Sequence, residues 1–169
     1  MPSLLPASTF TIRRATVADA PVLARHRCEM WLAMNDLLPD GYAALYEQCL
    51  HYFEEAVSDE SYLGWLVTIE AGEVVAGGGL LLRRIAPYPM ANGLTCPSEK
   101  QAHILNMFTE VDYRQYGLAK LLIQTILNWC TQQGVGSVTL NASSAGKPLY
   151  EKAGFTEVKN FMKWTGETL

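Results

Sequence analysis

The sequence predicts a mixed α/β protein built on one sheet with helices on its faces. The chain has 169 residues and contains no internal repeat, low-complexity run or long Gly/Ser/Pro linker. Short apolar or alternating segments typical of strands take turns with segments of helical periodicity. The predicted order is strand, two helices, hairpin, strand, helix, strand, helix, strand. We therefore expect a single domain over residues 1–169, with its core at about 9–165.

The first half of the chain predicts a strand, two helices and a hairpin. Residues 10–15 alternate apolar and polar side chains, which predicts a strand with one wet face. Thr16, Asp19 and Pro21 are typical of a helix start, so a helix is expected at about 17–34. Apolar residues at helical spacing predict a second helix at 42–57, after a loop at 35–41. Residues 62–84 predict an antiparallel hairpin that turns at 71–73.

The second half alternates strands and helices. Three successive glycines, 77–79, fall inside an apolar strand, so we expect a bulge or a close backbone contact there. A long Pro-containing loop at 85–100 precedes a strand at 102–109. The clearest helical pattern covers 117–133 and ends at Gly134. A strand at 137–142, a short helix ending at Gly154 and a final strand at 155–164 complete the prediction.

Composition and charge exclude several classes of protein. A formal net charge of −4 argues against nucleic acid as the main partner, because phosphate binding needs basic surface. No segment approaches the roughly 20 apolar residues that cross a bilayer, and no leader is evident, so we expect a cytoplasmic protein without a membrane partner. The four cysteines are far apart and form no C-x-x-C pair, which predicts reduced thiols, no disulfide and no metal site.

The turn at 114–119, which opens the helix beginning near residue 117, is suited to binding phosphate. The first amides of a helix lack partners within it, and the helix dipole places partial positive charge there. Gly117 and Ala119 carry no bulky side chain, and Arg114 adds a cation. Many helices begin after a glycine, so an ordinary helix start is the alternative. The P-loop and the dinucleotide fingerprint are both excluded by spacing.

Two stretches resemble the GNAT superfamily of acyl-CoA-dependent N-acetyltransferases. Residues 114–119, RQYGLA, are similar to its [R/Q]-x-x-G-x-[G/A] signature, and residues 140–155, LNASSAGKPLYEKAGF, are similar to its strand, loop and helix ending. Val111 stands where proline is frequent in the family, and Ala119 where glycine is commonest. The resemblance implies the GNAT fold: a central, mostly antiparallel sheet with a splayed parallel strand pair and helices on both faces.

The resemblance also implies a site for acetyl-CoA, without a metal. In the family, backbone amides of the segment matching 114–119 hold the pyrophosphate, and pantetheine enters the gap between the strands matching 105–109 and 138–142. The cofactor-binding residues that it implies are Met107, Phe108, Thr109, Arg114, Gln115, Tyr116, Gly117, Leu118, Ala119, Asn141 and Ser144.

The reaction implied is attack of an amine on the thioester, which needs a proton acceptor for the amine and an acid for the departing sulfur. Tyr150 matches the family's acid, with packing against coenzyme A as the alternative role. Glu110 is the predicted base. His103, Asp112, Glu29 and ordered water remain alternatives, whereas His26 and His51, among apolar helix positions, are expected to be structural.

The predicted function is therefore N-acetyltransferase, and the rival is a coenzyme-A-binding sensor or regulatory module without catalysis. The acceptor is a small-molecule amine or a peptide amine. A closed pocket walled by Glu29, Met30, Trp31 and the 85–100 loop would favour a metabolite, and a long acidic groove a peptide. Fold and cofactor do not fix the acceptor, and a homodimer remains open.

Overall fold

The computed structural model describes residues 10–158, and helices and strands alternate along it much as predicted. No helix in this part of the chain has the length and apolar character that a membrane span requires. The elements are β1 (Phe10–Arg14), α1 (Ala20–Ala33), α2 (Tyr42–Ser58), β2 (Tyr62–Ile69), β3 (Val74–Arg84), β4 (Lys100–Thr109), α3 (Leu118–Gln132), β5 (Ser137–Leu140) and α4 (Lys147–Lys152).

The strands form one sheet in the order β1-β2-β3-β4-β5. The first three pairings are antiparallel, and β4 pairs with β5 in parallel. The predicted hairpin is therefore confirmed as β2 and β3. Residues 155–158 form no strand, and the rest of the strand predicted at 155–164 lies outside the described residues.

Helices cover both faces of the sheet, and β2 shows why. Its neighbours Trp65 and Leu66 are both buried, although consecutive strand residues point to opposite faces. Leu66 packs with the α1 and α2 side chains Leu23 and Phe53. Trp65 belongs to the second core, which α3 covers with residues such as Leu122. A strand that is buried on both faces is continuously apolar, as β2 is.

The three glycines of β3 allow close packing. A Cβ on Gly79 would lie 2.5 Å from the Leu63 carbonyl oxygen, one on Gly77 would lie 2.9 Å from Leu66, and one on Gly78 would overlap the Met107 sulfur. The β3–β4 register also shifts between Gly77 and Gly79. The close backbone contact predicted for this stretch is confirmed at Gly79, whereas the extra residue of the bulge lies on the neighbouring strand and not at the glycines.

The bulge is on the β4 side of this pairing, at Asn106. Gly77 pairs with Phe108 and Gly79 with Leu105, so β4 has one residue more than β3 across this step. Asn106 has φ of +60°, a left-handed conformation that asparagine tolerates better than most residues. Its side-chain Nδ2 donates to the Leu23 carbonyl at 3.2 Å, which ties β4 to α1. A bulge bends its strand, so β4 changes direction here.

We expect Asn106→Val to destabilise the protein more than Asn106→Gly. Both variants lose the hydrogen bond to Leu23, worth about 1 kcal/mol. Only valine adds the strain of a β-branched residue at positive φ, about 1–3 kcal/mol more. Urea unfolding of the two variants measures the difference. Equal losses would show that the backbone conformation at Asn106 does not require a permissive residue.

Candidate functional site

The parallel strands β4 and β5 separate part-way along, and we call the resulting opening the fork. They pair from Gln101 with Ser137 to Ile104 with Leu140, after which β5 ends and β4 continues alone through 105–109. The separation coincides with the Asn106 bulge. One edge of β4 is thus unpaired by any described strand over these residues.

Backbone groups of Met107 and Thr109 face the open edge of the fork. Glu110 N–H donates to the Val75 carbonyl of β3 at 2.9 Å, and Phe108 pairs with Gly77 of the same strand. Because successive residues of a strand present their backbone groups to opposite edges, residues 107 and 109 point away from β3. The backbone groups of Phe108 face β3, so this predicted cofactor-binding residue offers none to the open edge. Its ring lies 4.9 Å from that of buried His26.

The turn after β4 leads directly into α3 and contains two residues in the left-handed conformation. Gly117 precedes α3 with φ of +79°, and no side chain caps the helix. A Cβ on Gly117 would meet no atom within 4 Å, so the space in front of the helix is open. Gln115 also has positive φ, of 68°. Arg114 Nε donates to the Thr109 carbonyl at 3.2 Å, which places its guanidinium beside the turn.

Aromatic packing fixes the turn to the sheet. The rings of Tyr113 and Tyr116 lie 6.5 Å and 6.2 Å from that of Phe10 in β1. Leu118, the first residue of α3, is buried in the core, whereas Gly117 and Arg114 are exposed. The start of α3 is therefore exposed at Gly117 and packed against the sheet through Leu118 and the two tyrosines.

The opposite, paired end of the fork is clamped by the segment before β4. Ser98 Oγ donates to the Gly134 carbonyl at 2.6 Å, and Gly136 N–H donates to the Lys100 carbonyl at 3.0 Å. The Lys100 ammonium donates to the Gln133 carbonyl at 3.2 Å. These contacts join the start of β4 to the end of α3 and to the approach of β5.

A cavity of about 760 Å³ adjoins the paired part of the fork. Side chains of β3, β4, β5 and α4 form it, together with the residues that follow α4. It includes none of Glu29, Met30, Trp31 or the 85–100 loop. Its walls include the predicted residues Tyr150 and Asn141, but Ser144 lies on an exposed loop outside them. The polar residues at its walls are Arg83, Gln101, His103, Thr139, Asn141, Lys147, Tyr150, Glu151, Thr156 and Glu157.

His103 is the histidine that faces this cavity. Its Nδ1 lies 2.9 Å from Thr139 Oγ1, and that hydroxyl lies 3.4 Å from the Ala102 carbonyl oxygen. When the hydroxyl donates to the carbonyl, it accepts from Nδ1–H, and the lone pair of the neutral ring is then on Nε2. Burial lowers the pKa of His103, and the charge of Arg83 lowers it further. A neutral imidazole at neutral pH is therefore favoured.

Tyr150 lies in α4 on another wall of the cavity. Burial raises the pKa of its hydroxyl above the ordinary value of 10.0. The group therefore keeps its proton at neutral pH and is available as a donor. Its ring packs edge-on against Phe155 at 6.1 Å, which holds the side chain on the cavity wall.

Glu110 is placed differently from His103 and Tyr150. Its Oε1 lies 2.6 Å from Arg25 Nη2 in α1, and His26 Nε2 lies 3.4 Å from the same oxygen. Glu110 is not among the residues lining the cavity. Burial lowers the pKa of His26 to about 4, and the Arg25 charge acts in the same direction, so the buried ring is neutral near Glu110. The carboxylate connects the end of β4 to α1.

The other candidates lie away from the cavity. Glu29 Oε1 accepts a hydrogen bond from the Tyr42 hydroxyl at 3.1 Å, between α1 and α2. Asp112 is exposed in the turn after β4. His51 is exposed on α2, at 3.5 Å from Glu55. The interpretation of His51 as one of the histidines among apolar neighbours does not match this exposure.

Three residues of the site region had no role in the sequence interpretation: Asn106, Thr139 and Arg83. Asn106 has a signal in the sequence, since it is the amide that interrupts the apolar strand AHILNMFT. Thr139 and Arg83 have none, because only the strand register decides which face they occupy.

The cysteines and acidic residues offer no alternative chemistry within residues 10–158. All four cysteines are free and buried, and none lines the cavity. No group of three or more His, Cys, Asp or Glu side chains in that range could hold a metal ion.

A family model matches part of the chain, and solved structures share its fold. Residues 90–166 match the family model of the acetyltransferase (GNAT) domain. No curated protein sequence matches this chain significantly. The chain thus has the fold and the domain signature of the GNAT acetyltransferases, and the resemblance inferred from its sequence is confirmed.

Solved structures with this fold cover nearly the whole chain. A GCN5-related N-acetyltransferase from Ralstonia eutropha JMP134 has a TM-score of 0.79 at 24% identity, covering 91% of this chain and 97% of its own. A predicted acetyltransferase with acetyl-CoA from Clostridium acetobutylicum has a TM-score of 0.77 at 19% identity, and the match covers 92% of this chain and 96% of that one. Glucosamine-6-phosphate N-acetyltransferase from Arabidopsis thaliana has a TM-score of 0.62 at 20% identity, and the match covers 94% of this chain and 99% of that one. At these identities the likeness concerns the fold.

Proposed function

We propose that this protein is an N-acetyltransferase that transfers the acetyl group of acetyl-CoA to a primary amine by direct attack. The observation that carries the proposal is the fork: an unpaired strand edge at 105–109 leads straight into an uncapped helix start at Gly117. One extended ligand that carries both an amide-containing arm and a diphosphate fits this combination. A similar fold occurs in a structure determined with acetyl-CoA.

The residues present fit coenzyme A group by group. The backbone of Met107 and Thr109 can pair with the amides of pantetheine, as an added strand would. The amides at 117–119 and the Arg114 guanidinium can bind the diphosphate, whose charge the helix dipole also favours. When bound, acetyl-CoA supplies the activated acetyl group, and the rest of the chemistry belongs to the side chains at the cavity.

The mechanism we propose uses His103 as base and Tyr150 as acid. The amine nitrogen forms a bond to the thioester carbon, and its proton passes to His103 Nε2. The carbon–sulfur bond breaks, and the sulfur receives the Tyr150 proton. A thiol has an ordinary pKa of about 8.5 and a phenol of about 10. A thiolate can therefore leave without being protonated, and proton donation by Tyr150 makes its departure easier.

Glu110 was the predicted base, and its contacts favour a positioning role instead. Its carboxylate is engaged by Arg25 at 2.6 Å and does not reach the cavity. A carboxylate that is bound to Arg25 and lies outside the cavity is not placed to take a proton from an amine inside it. We propose that Glu110 and Arg25 fix the end of β4, and hence the phosphate-binding turn that follows, against α1.

Thiol release from acetyl-CoA separates an enzyme from a binding module. We would incubate the protein with acetyl-CoA and a panel of primary amines, and measure free thiol above the rate without protein. An N-acetyltransferase releases thiol only when an acceptor is present. A coenzyme-A sensor would bind acetyl-CoA, detectable as an increase in melting temperature, and release none with any amine.

We expect Tyr150→Phe to lower kcat by about 10-fold to 100-fold while leaving coenzyme A affinity within about twofold. The phenyl ring preserves the contact with Phe155 and removes only the donor, and proton donation to a leaving group is worth up to these factors. Single-turnover kinetics and calorimetric titration measure the two quantities. Tyr52→Phe, on exposed α2, is the control. Unchanged kcat with weakened coenzyme A binding would assign Tyr150 to packing alone.

A further inference from the structure

The charged groups at the cavity are not evenly compensated. The Lys147 ammonium lies 3.0 Å from a Glu157 carboxylate oxygen, and Glu151 adds a second negative charge near it. At the other wall stands Arg83, which has no carboxylate within ion-pair distance in the part of the chain that the structure describes. The cavity therefore has one end with a net negative charge, from one lysine and two glutamates, and one end with an uncompensated guanidinium.

Arg83 is held in place by a neutral partner. Its Nε donates to Gln101 Oε1 at 2.7 Å, and its Nη2 donates to the same oxygen. The amide fixes the plane of the guanidinium without neutralising it, and Nη1 makes no hydrogen bond within residues 10–158. The neighbouring Arg84 contrasts with this arrangement, since it binds Glu99 at 2.5 Å and does not line the cavity.

Sheet register places Arg83 beside the proposed base. Arg83 pairs with Gln101 across β3 and β4, and Leu81 pairs with His103. Residues two apart on a strand share a face and are separated by about 7 Å. All four residues line the cavity, so the guanidinium and the imidazole face the same space. The charge of Arg83 also lowers the pKa of His103, which keeps that ring neutral.

We propose that the acceptor is a small amine that also carries an anionic group, and that Arg83 binds that group while His103 receives the proton of the amine. This inference rests on the proposed function. The anion occupies the uncompensated end near Gln101, and the amine lies between it and Tyr150. A carboxylate or phosphate matches the planar donors of a guanidinium.

The arrangement also selects against purely cationic acceptors. A polyamine would place a second positive charge near Arg83, and like charges at this range repel. An acceptor with one amine and one anion is nearly neutral overall and complements the guanidinium. The pair Arg83–Gln101 lies about 7 Å from the pair Leu81–His103 along the strands, a separation that suits an amine and an acid joined by a few carbon atoms.

The test compares matched acceptors with the wild-type protein and two variants. The acceptors are ω-amino carboxylates, ω-aminoalkyl phosphates and the uncharged ω-amino amides of equal chain length. We expect kcat/KM to be about 10-fold to 100-fold higher for the better anionic series than for the amides, the range of a charged hydrogen bond. Arg83→Gln should reduce that ratio to about one. Arg84→Gln, the matched control, should retain it.

Binding is measured in parallel, by calorimetric titration of the same three series into protein saturated with coenzyme A. A carboxylate or phosphate preference that Arg83→Gln abolishes supports the proposal and identifies which anion is recognised. A preference for the amides, or an anion preference that survives in Arg83→Gln, overturns it. If no amine releases thiol but anionic amines still bind through Arg83, the proposed function fails and the assignment of Arg83 stands.

Discussion

A His103→Asn variant is expected to lose a factor of about 10² to 10⁴ in kcat/KM, the range for removal of a general base. Asparagine can still donate to Thr139, so the local hydrogen bond is conserved while the proton acceptor is lost. The affinity for coenzyme A should change little, because the fork and the phosphate-binding turn involve other residues. Initial-rate kinetics with a single amine measure the loss.

The pH dependence gives the same residue a second signature. Deprotonation of the amine, with an ordinary pKa of about 10, makes log kcat/KM rise with a slope of one as pH increases. His103 is a base only when it is neutral. Below the pKa of His103, protonation of its ring therefore raises the slope of log kcat/KM against pH from one to two. That pKa is lowered from 6.5 by burial and by Arg83, so the steeper segment should begin below pH 6.5. In His103→Asn the steeper segment should be absent.

Two variants make the test of His103 specific. His51→Asn changes an exposed histidine on α2 and should leave both the rate and the pH profile unaltered. Glu110→Gln should weaken coenzyme A binding, through the loss of the Arg25 contact, and keep the steep acid segment. If His103→Asn is active and Glu110→Gln loses the acid segment, the base is Glu110, as the sequence suggested.

A Gly117→Glu variant is expected to lose most of its affinity for coenzyme A, by about 100-fold or more. The residue has φ of +79°, which costs a side-chain-bearing residue about 1–2 kcal/mol. The added carboxylate would stand in the open space before α3 and repel a diphosphate at the position where the helix amides would bind it. Calorimetric titration of coenzyme A into the folded variant measures the effect.

Gly134→Glu is the matched control for Gly117→Glu. Gly134 follows the other end of α3 with φ of +65°, and a Cβ there would also meet no atom within 4 Å. Backbone strain should therefore lower the free energy of unfolding of the two variants by similar amounts, and urea unfolding measures both. Only Gly117→Glu should lose coenzyme A. Equal affinity in both variants would remove the phosphate-binding turn from the proposed function.

Elements whose signals are local were predicted almost to the residue. The helix expected at 42–57 is α2, Tyr42–Ser58, and the helix expected at 117–133 is α3, Leu118–Gln132. Periodicity and a terminal glycine suffice for such segments, because the information lies within a few turns. The glycine turn before α3 is local in the same sense, so its position at Gly117 could be predicted, whereas its role in phosphate binding stays a prediction.

Features that depend on pairing between distant segments could not be predicted. The bulge at Asn106 lies opposite the glycines of β3, and its side-chain amide binds the carbonyl of Leu23, far away in sequence. Arg83 and Arg84 are adjacent and identical in type, and only the pleat decides that the first faces the cavity and the second pairs with Glu99. The choice between His103 and Glu110 likewise needs the position of Arg25.

The clamp at the paired end of the fork has a thermodynamic consequence. Ser98 and Lys100 bind the start of β4 to the backbone at the end of α3. These bonds oppose sliding of β4 along β5 at the paired end of the fork. The two strands of the fork therefore begin at a fixed spacing, so we expect the protein to lose little conformational freedom at that end when a ligand binds. Association should then be limited chiefly by stripping water from the incoming diphosphate, with only a small entropic penalty from the protein.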